Sequence, residues 1–536
     1  GQMEFDGSME FSVALTARDS TEAGDIRLEI PVSAAVARYA MGLGIKGGIR
    51  PDSLAWKWDV KRNQDSAWVG DVNAGLQFEL HDDHYSRPLN TNFYLSKPLI
   101  MPASWDNGGK GGCRLGARGT ETYLISCYSG PRRFAAGETQ HYDFRLLVTP
   151  FHPIDPQKQW RTRYYHAFAP IDEIAATSAN TVNIHHATPI NPFINYPFLR
   201  ANEMKAYIDE AHRRGMQVKI YDTVRELTNH APELPALLSL GDEVIADGPG
   251  GGPAWLQEHV AEHYIPGWYV PALHDAALVT TGTSRWHNFY VEGLRWLAEN
   301  VGIDGIYLDD IAFDRTTMKR IRKVLARNRP GSLIDVHSAN QFNPRDGFAN
   351  SANLYLEHFP FVDRLWFGEY FDYNSPPDFW LVEVSGIPYG LMGEMLQDDG
   401  NPWRGMVYGM TNRLPHSGDP RPLWRFWDDY GIADTEMLGY WAPSNPVKTG
   451  RSDVLATTYR GKRRALVAIA SWASEPVAAR LEIDWKALGI NPANASIRAP
   501  AIENFQQAAT FAVGRPVPLE VGKGRLLVID ETGSGQ

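Results

Sequence analysis

The sequence predicts three domains in a row: a β-sandwich over residues 1–155, a (β/α)8 barrel of the TIM type over 156–445, and a second β-sandwich over 446–536. Three observations predict this order. Apolar and polar residues alternate in twos up to about residue 150, which is the period of half-buried strands. The pattern then changes to short apolar runs separated by helix-period segments, the alternation that builds a parallel sheet with covering helices. Period two returns near residue 446 and holds to the end. A chain of 536 residues also exceeds what one hydrophobic core usually holds.

In the first domain "MEFSVALTA", "GLQFELHD", "TETYLISCYSG" and "HYDFRLLVTP" read as strands, separated by Gly, Asp and Asn turns. Cys113 in "GGCRLG" and Cys127 in "LISCYSG" are the two cysteines of the chain. Their spacing lets them sit on neighbouring strands, either paired in an oxidising compartment or as buried thiols. The prolines of "FHPIDPQKQW" mark the boundary near 155.

The barrel region opens with "TVNIHH" (181–186), then a helix over 202–215 with Met204, Tyr207, Ile208 and Ala211 on one stripe and Gly215 as its stop. "MQVKIYD" (216–222) is the next strand. A helix over 285–300 carries Trp286, Phe289, Leu294 and Leu297 inward and feeds "IDGIYLDDIAF" (303–313), read as the fourth strand. The following helix turns Met318, Ile321 and Leu325 inward and is closed by Pro330. "SLIDVH" (332–337), "VDRLWFGE" (362–369), "IPYGLMGE" (387–394) and "RGMVYGMTN" (404–412) read as later strands, and "RPLWRFWDDYG" as the last helix. No strand of the third unit can be placed in the stretch around "DGPGGGP". In the last domain "DVLATTYRGKRRALVAIASW" is a hairpin with a Gly-Lys turn, and "GRLLVID" a closing strand.

Bulk properties narrow the partners. A net charge of -11 with no cluster of Lys and Arg argues against nucleic acid and anionic membranes as partners and leaves neutral or cationic ligands open. No apolar run reaches the ~20 residues of a membrane helix. "GQMEFDGSMEF" has neither a basic segment nor an apolar one: either a signal was removed or none existed. A periplasmic or secreted protein is expected. Neither a cofactor nor a metal is expected, and the oligomeric state is open. Aromatic residues make up 12% of the chain, including 17 Trp, and flat rings with a polar handle suit sugar faces as well as cores.

Active sites of such barrels lie at the C-terminal ends of the strands, so the residues that end each apolar run carry the chemistry. Read in order they are His185 and His186, Asp222, Asp309 and Asp310, His337, Glu369, Glu394, and Asn412 with Arg413. Helix caps and surface charges explain one or two of them, not polar residues at so many strand ends. Asp309 faces the same way as Tyr307, and Asp310 begins the loop. Two carboxylates with different environments can divide the work of glycosidic bond cleavage, one protonating the leaving oxygen and the other attacking the anomeric carbon or activating water. Glu369 is placed to face Asp309 across the barrel mouth, and these three are the catalytic candidates. His185, Asp222, His337, Trp366, Glu394 and Arg413 are the substrate-binding candidates, with Tyr370, Trp403 and Trp424 as further rings for stacking. A metal site is disfavoured because adjacent His185 and His186 should point to opposite sides of a strand. Two other classes stay open: a glycan-binding protein without chemistry and a metal-dependent amidohydrolase.

The layout, with "DGIYLDD" on the barrel, "GMTNRLPHSGDPRPLWRFWDDYGI" late in it and "GYWAPSNPVKTGRSDVLATTY" after it, resembles bacterial proteins similar to glycoside hydrolase family 123. That resemblance implies a β-N-acetylgalactosaminidase working by substrate assistance through an adjacent Asp-Glu pair, which falls on Asp309 and Asp310. The second position is Asp here where the family has Glu, one methylene longer. Family 101-like enzymes share the domain order and imply instead a nucleophilic Asp on the fourth strand with a Glu acid elsewhere.

Overall fold

A computed structural model describes residues 1–58, 65–87, 100–222, 224–281, 284–339, 350–369, 371–395, 400–415 and 418–531. The first domain packs a seven-stranded sheet on a four-stranded one. Cys113 and Cys127 are directly opposite on antiparallel neighbours, buried free thiols with their Sγ atoms 3.2 Å apart. The last domain is built on a six-stranded sheet in which the hairpin Val454–Gly461 and Arg464–Ser471 pairs onward to the closing strand Gly524–Glu531.

Between them lies the barrel. Six parallel strands run in order: Tyr164–Tyr165, Thr181–Ile184, Gln217–Tyr221, Gly305–Asp309, Leu333–Ala339 and Arg364–Glu369. Two shorter extended segments close the ring. Leu365 bridges Gly393, the Met395 N–H donates to the Thr411 carbonyl at 2.9 Å, and Leu414 bridges Tyr165. Gly305 is required at the foot of the fourth strand, at φ 140°, because a Cβ there would lie 1.8 Å from the Leu333 carbonyl.

Four readings of the sequence change. The first strand, Tyr164–Tyr165, is two residues long and shows no period, so "TVNIHH" is the second strand rather than the first. The stretch with "DGPGGGP" belongs to no barrel unit. It lies in an insertion after the third strand that forms its own antiparallel sheet from Glu226–Thr228, Pro266–Val270 and Asp275–Val279. The first four residues of "RGMVYGMTN" belong to the helix Pro402–Val407, whose start is the Asn-Pro signal: Asn401 accepts from the Arg404 N–H and Pro402 takes the first turn. In "IPYGLMGE" a 3-10 turn, Ile387–Tyr389, precedes the short barrel segment. A short apolar run has no period that separates strand from buried helix.

Outward residues of the strands, such as Val182, Ile184, Val218, Ile220, Ile306, Leu308, Ile334, Val336, Leu365 and Phe367, are buried under the helices. That core is continuous with Tyr39, Met41 and Trp68 of the first domain and with Tyr459, Leu466 and Leu526 of the last. Inward residues are polar or aromatic, among them Tyr164, Lys219, Tyr221, Tyr307, Asp309, Asp335, His337, Arg364 and Trp366. Low on the barrel axis Lys219 and Asp335 form a fully buried ion pair, and Trp366 donates its indole N–H to Asp335 at 3.1 Å.

The first domain and the barrel also meet through Glu383, on the turn Trp380–Val384, which accepts from the Gly47 N–H and the Asn350 amide at 2.5 Å each. Burial pushes its carboxyl up to about 7, against the donors that favour the anion. A carboxyl raised from an unfolded value near ~4.3 contributes stability that is complete below that value and is lost as pH rises through the folded one. Melting temperature should therefore fall between pH 5 and pH 8.5, and fall less in Glu383→Gln, whose side chain cannot ionise. Equal slopes in the two proteins, measured by calorimetry, would show that Glu383 does not titrate there.

Candidate active site

The fourth strand delivers Asp309 to the barrel mouth by simple alternation: Ile306 and Leu308 face the helices, Tyr307 and Asp309 the axis. Parallel pairing sets Asp309 level with His337 on the fifth strand, and Tyr307 level with Tyr221 on the third. Three donors from three places then converge on one carboxylate. His337 Nδ1 donates to Oδ1 at 2.6 Å, while the Tyr221 hydroxyl and Arg225 Nη2 donate to Oδ2 at 3.0 and 3.2 Å. Burial alone would raise the Asp309 carboxyl, but the Arg225 guanidinium and His337 outweigh it and hold it well below the usual carboxylate range. These donors favour the anionic form of Asp309.

Asp310 is placed differently. Its backbone is left-handed, φ 64°, a conformation that Asp and Asn tolerate better than most residues, and this turns its side chain away from the axis. There it accepts from Arg225 Nη1 at 3.3 Å and from the Tyr355 hydroxyl at 3.1 Å. Its side chain is 3% exposed against 20% for Asp309. Arg225 bridges the two carboxylates and so offsets their repulsion.

Two further elements hold this arrangement. Arg225 comes from the insertion, where its Nε donates to Glu226 Oε1 at 2.9 Å; Glu226 Oε2 accepts the Trp268 backbone N–H at 2.7 Å. Tyr355 ends the helix Ser351–Tyr355, which the first domain grips: Gln77 donates to the Asn353 carbonyl at 2.7 Å, Asn353 donates to Ser66 Oγ at 2.9 Å, and Arg145 pairs with Glu357 on the 3-10 segment Leu356–Phe361 that follows. The amino-terminal sandwich thus positions Asp310 through a barrel helix.

The other candidates divide. His185 and His186 do not point apart: the strand stops at Ile184, the chain turns at Ala187 with φ 61°, and both rings pack on Tyr221 with centroids 4.2 and 4.7 Å away. Burial pushes His185 down to about 4 and, with the neighbouring ring, His186 down to about 3, so both are neutral beside Asp309. Arg413 lies within the barrel, its Nη1 donating to the Tyr307 hydroxyl at 3.1 Å and its guanidinium over Trp366. Asn412 is buried beside it in the chain.

Asp222 is not with Asp309. Alternation turns Tyr221 inward, so Asp222 lines a small cavity beneath the helix Trp286–Trp296, with Asn195 and Tyr290. Glu394 stands lower on the barrel wall, level with the start of the sixth strand. It accepts from Arg364 at 2.6 Å, Gln159 at 2.8 Å and the Thr411 N–H at 2.9 Å, which satisfy it where it is. Trp366 and Trp424 are completely enclosed, and Trp403 stacks on Phe505 of the last domain, so none of the three offers a face at the mouth. The backbone of Glu369 ends the sixth strand; its side chain and Tyr370 lie outside the described residues. Among the described residues, the donors of His185, His186, Asp222 and His337 do not form a metal-sized cluster; Asp82, Asp83 and His84, on the surface of the first domain, are the grouping with that spacing.

Sequence reading missed Tyr221, Arg225, Glu226 and Tyr355. Arg and Glu adjacent in the otherwise uncharged "TVRELT" were the available signal, because a charged pair inside a strand-like run is costly unless something binds it.

No curated protein matches the sequence. Among solved structures, the α-galactosidase of Lactobacillus brevis is 11% identical over 99% of this chain and 79% of its own, with a TM-score of 0.48. The family 36 α-galactosidase of Geobacillus stearothermophilus is 11% identical over 94% and 77%, TM-score 0.45; the α-amylase of Geobacillus thermoleovorans is 12% identical over 70% and 99%, TM-score 0.43. These likenesses are too distant to bear on chemistry. Domain models of a single family are a different matter. Residues 1–150 match the third domain of glycoside hydrolase 123, residues 155–415 its TIM-barrel domain and residues 419–530 its C-terminal domain. With sandwich, barrel and second sandwich each matched in this way, the chain belongs to glycoside hydrolase family 123 and is a glycosidase acting on carbohydrate.

Proposed function

We propose that Asp309 is the nucleophile of a double displacement on a polysaccharide or glycan, with Glu369 as the acid. The observation that carries this is the contrast within the pair: Asp309 is the anion exposed to the mouth, while Asp310 is enclosed between Arg225 and Tyr355. An Asp309 oxygen attacks the anomeric carbon and forms a glycosyl ester as the aglycone departs with the Glu369 proton. Water then adds to the anomeric carbon, giving its proton to Glu369 and releasing Asp309. Oδ1, which accepts from His337, keeps a second lone pair for the bond. His337, Tyr221 and Arg225 hold the carboxylate in one orientation, so little ordering is left for the transition state.

Substrate assistance would need Asp310 to reach the leaving oxygen, and its left-handed backbone and its bonds to Arg225 and Tyr355 hold it back. A polymeric glycan does not enter the cytoplasm intact, which supports a periplasmic or secreted enzyme. The test is to incubate the protein with activated fluoroglycosides of both anomeric configurations and to map the label by peptide mass spectrometry. Label on Asp309 is expected; strong inhibition by a sugar thiazoline with no label would transfer the reading to the substrate-assisted mechanism.

A further inference from the structure

The largest apolar side chain left open among those tied to the catalytic pair is Trp268, 55% exposed on the insertion strand Pro266–Val270. A single exposed Trp needs no explanation by itself. What requires one here is how firmly it is held. Pairing with Asp275–Val279 shifts register between Pro266 and Tyr269, a bulge that lifts Trp268 out of the ladder. Its N–H then donates to Glu226, and Glu226 accepts from the same Arg225 that bridges Asp309 and Asp310. Gly267 permits this approach, since a Cβ there would lie 2.8 Å from Glu226 Oε2. Two buried charged residues therefore fix the backbone of an exposed indole relative to the nucleophile.

The ring stands at the mouth. It meets His186 edge-on at 6.3 Å between centroids; His186 packs on Tyr221 at 4.7 Å, and the Tyr221 hydroxyl reaches Asp309. Two rings thus separate the indole from the reacting carboxylate, too far for the sugar whose anomeric carbon Asp309 attacks and suited to the next one along a chain. An indole face matches the C–H face of a pyranose, and such a contact gains from burial while leaving the hydroxyls to water.

We infer that Trp268 is the platform for a second pyranose ring, so that this enzyme discriminates for oligosaccharides over simple monoglycosides. The inference rests on the assignment of Asp309 to the reaction. The test compares kcat/KM on the 4-nitrophenyl monoglycoside that the enzyme cleaves best with kcat/KM on the free trisaccharide of the same sugar. In Trp268→Ala the trisaccharide-to-monoglycoside ratio should fall at least tenfold, through KM for the trisaccharide, and Trp268→Phe should restore most of it. An unchanged ratio, including a parallel loss on both substrates, overturns the inference. Trisaccharide affinity is also measured by calorimetry in Asp309→Asn with and without Trp268→Ala. If Asp309→Asn keeps its turnover, the nucleophile assignment fails on its own, while the affinity difference still decides whether Trp268 binds the second sugar.

Discussion

Asp309→Asn should lower turnover by at least ~10², the usual scale for loss of a group that acts directly on the reacting bond. The side chain keeps its size and can still accept from Arg225 and Tyr221 through its remaining oxygen, so circular dichroism and melting temperature should change little. The amide cannot form a stable glycosyl ester, and its NH2 faces His337 Nδ1, which accepts from it once the neutral imidazole carries its proton on Nε2. Azide, small enough to occupy the space of the lost charge, should restore turnover of an activated aryl glycoside and give a glycosyl azide with the configuration opposite to that of the normal product. Near-normal turnover without azide would make Asp309 a structural residue.

Glu369→Gln should lose most of its rate on a natural glycoside and retain much of it on an aryl glycoside with a good leaving group, because the latter needs little protonation to depart. Asp310→Asn should behave otherwise. Asn is tolerated at φ 64°, so the backbone holds, but Arg225 loses one of its charged partners and Asp309 is held less firmly. Its rate should fall on both substrates alike. Selective rescue in Asp310→Asn instead of Glu369→Gln would exchange the two roles. Lack of rescue in both, with weaker binding alone, would place the acid elsewhere.

Local pattern revealed the longer elements, although Phe289, expected inward on the helix Trp286–Trp296, is exposed. The helix stripes of Met204, Ile208 and Ala211, and of Met318, Ile321 and Leu325, lie buried as their period requires. The apolar run ending at Asp309 is the fourth strand, and its alternation put Asp309 on the axis. Where an element is two or three residues long, as at Tyr164–Tyr165 or the closing segments near Gly393 and Thr411, no period exists to read. Those strands exist because the ring must close.

By itself, then, the sequence determined the order of sandwich, barrel and sandwich and the carboxylates that end the fourth strand, since both follow from local periodicity and from where an apolar run stops. Only the tertiary structure decided how the two carboxylates are held. Register across the parallel strands brought His337 and Tyr221 to Asp309, an insertion of separate fold supplied Arg225, and a barrel helix gripped by the first domain supplied Tyr355, which donates to Asp310. Residues that meet across such sequence distances share no spacing; burial and charge pairing, acting only in the folded chain, bring them together.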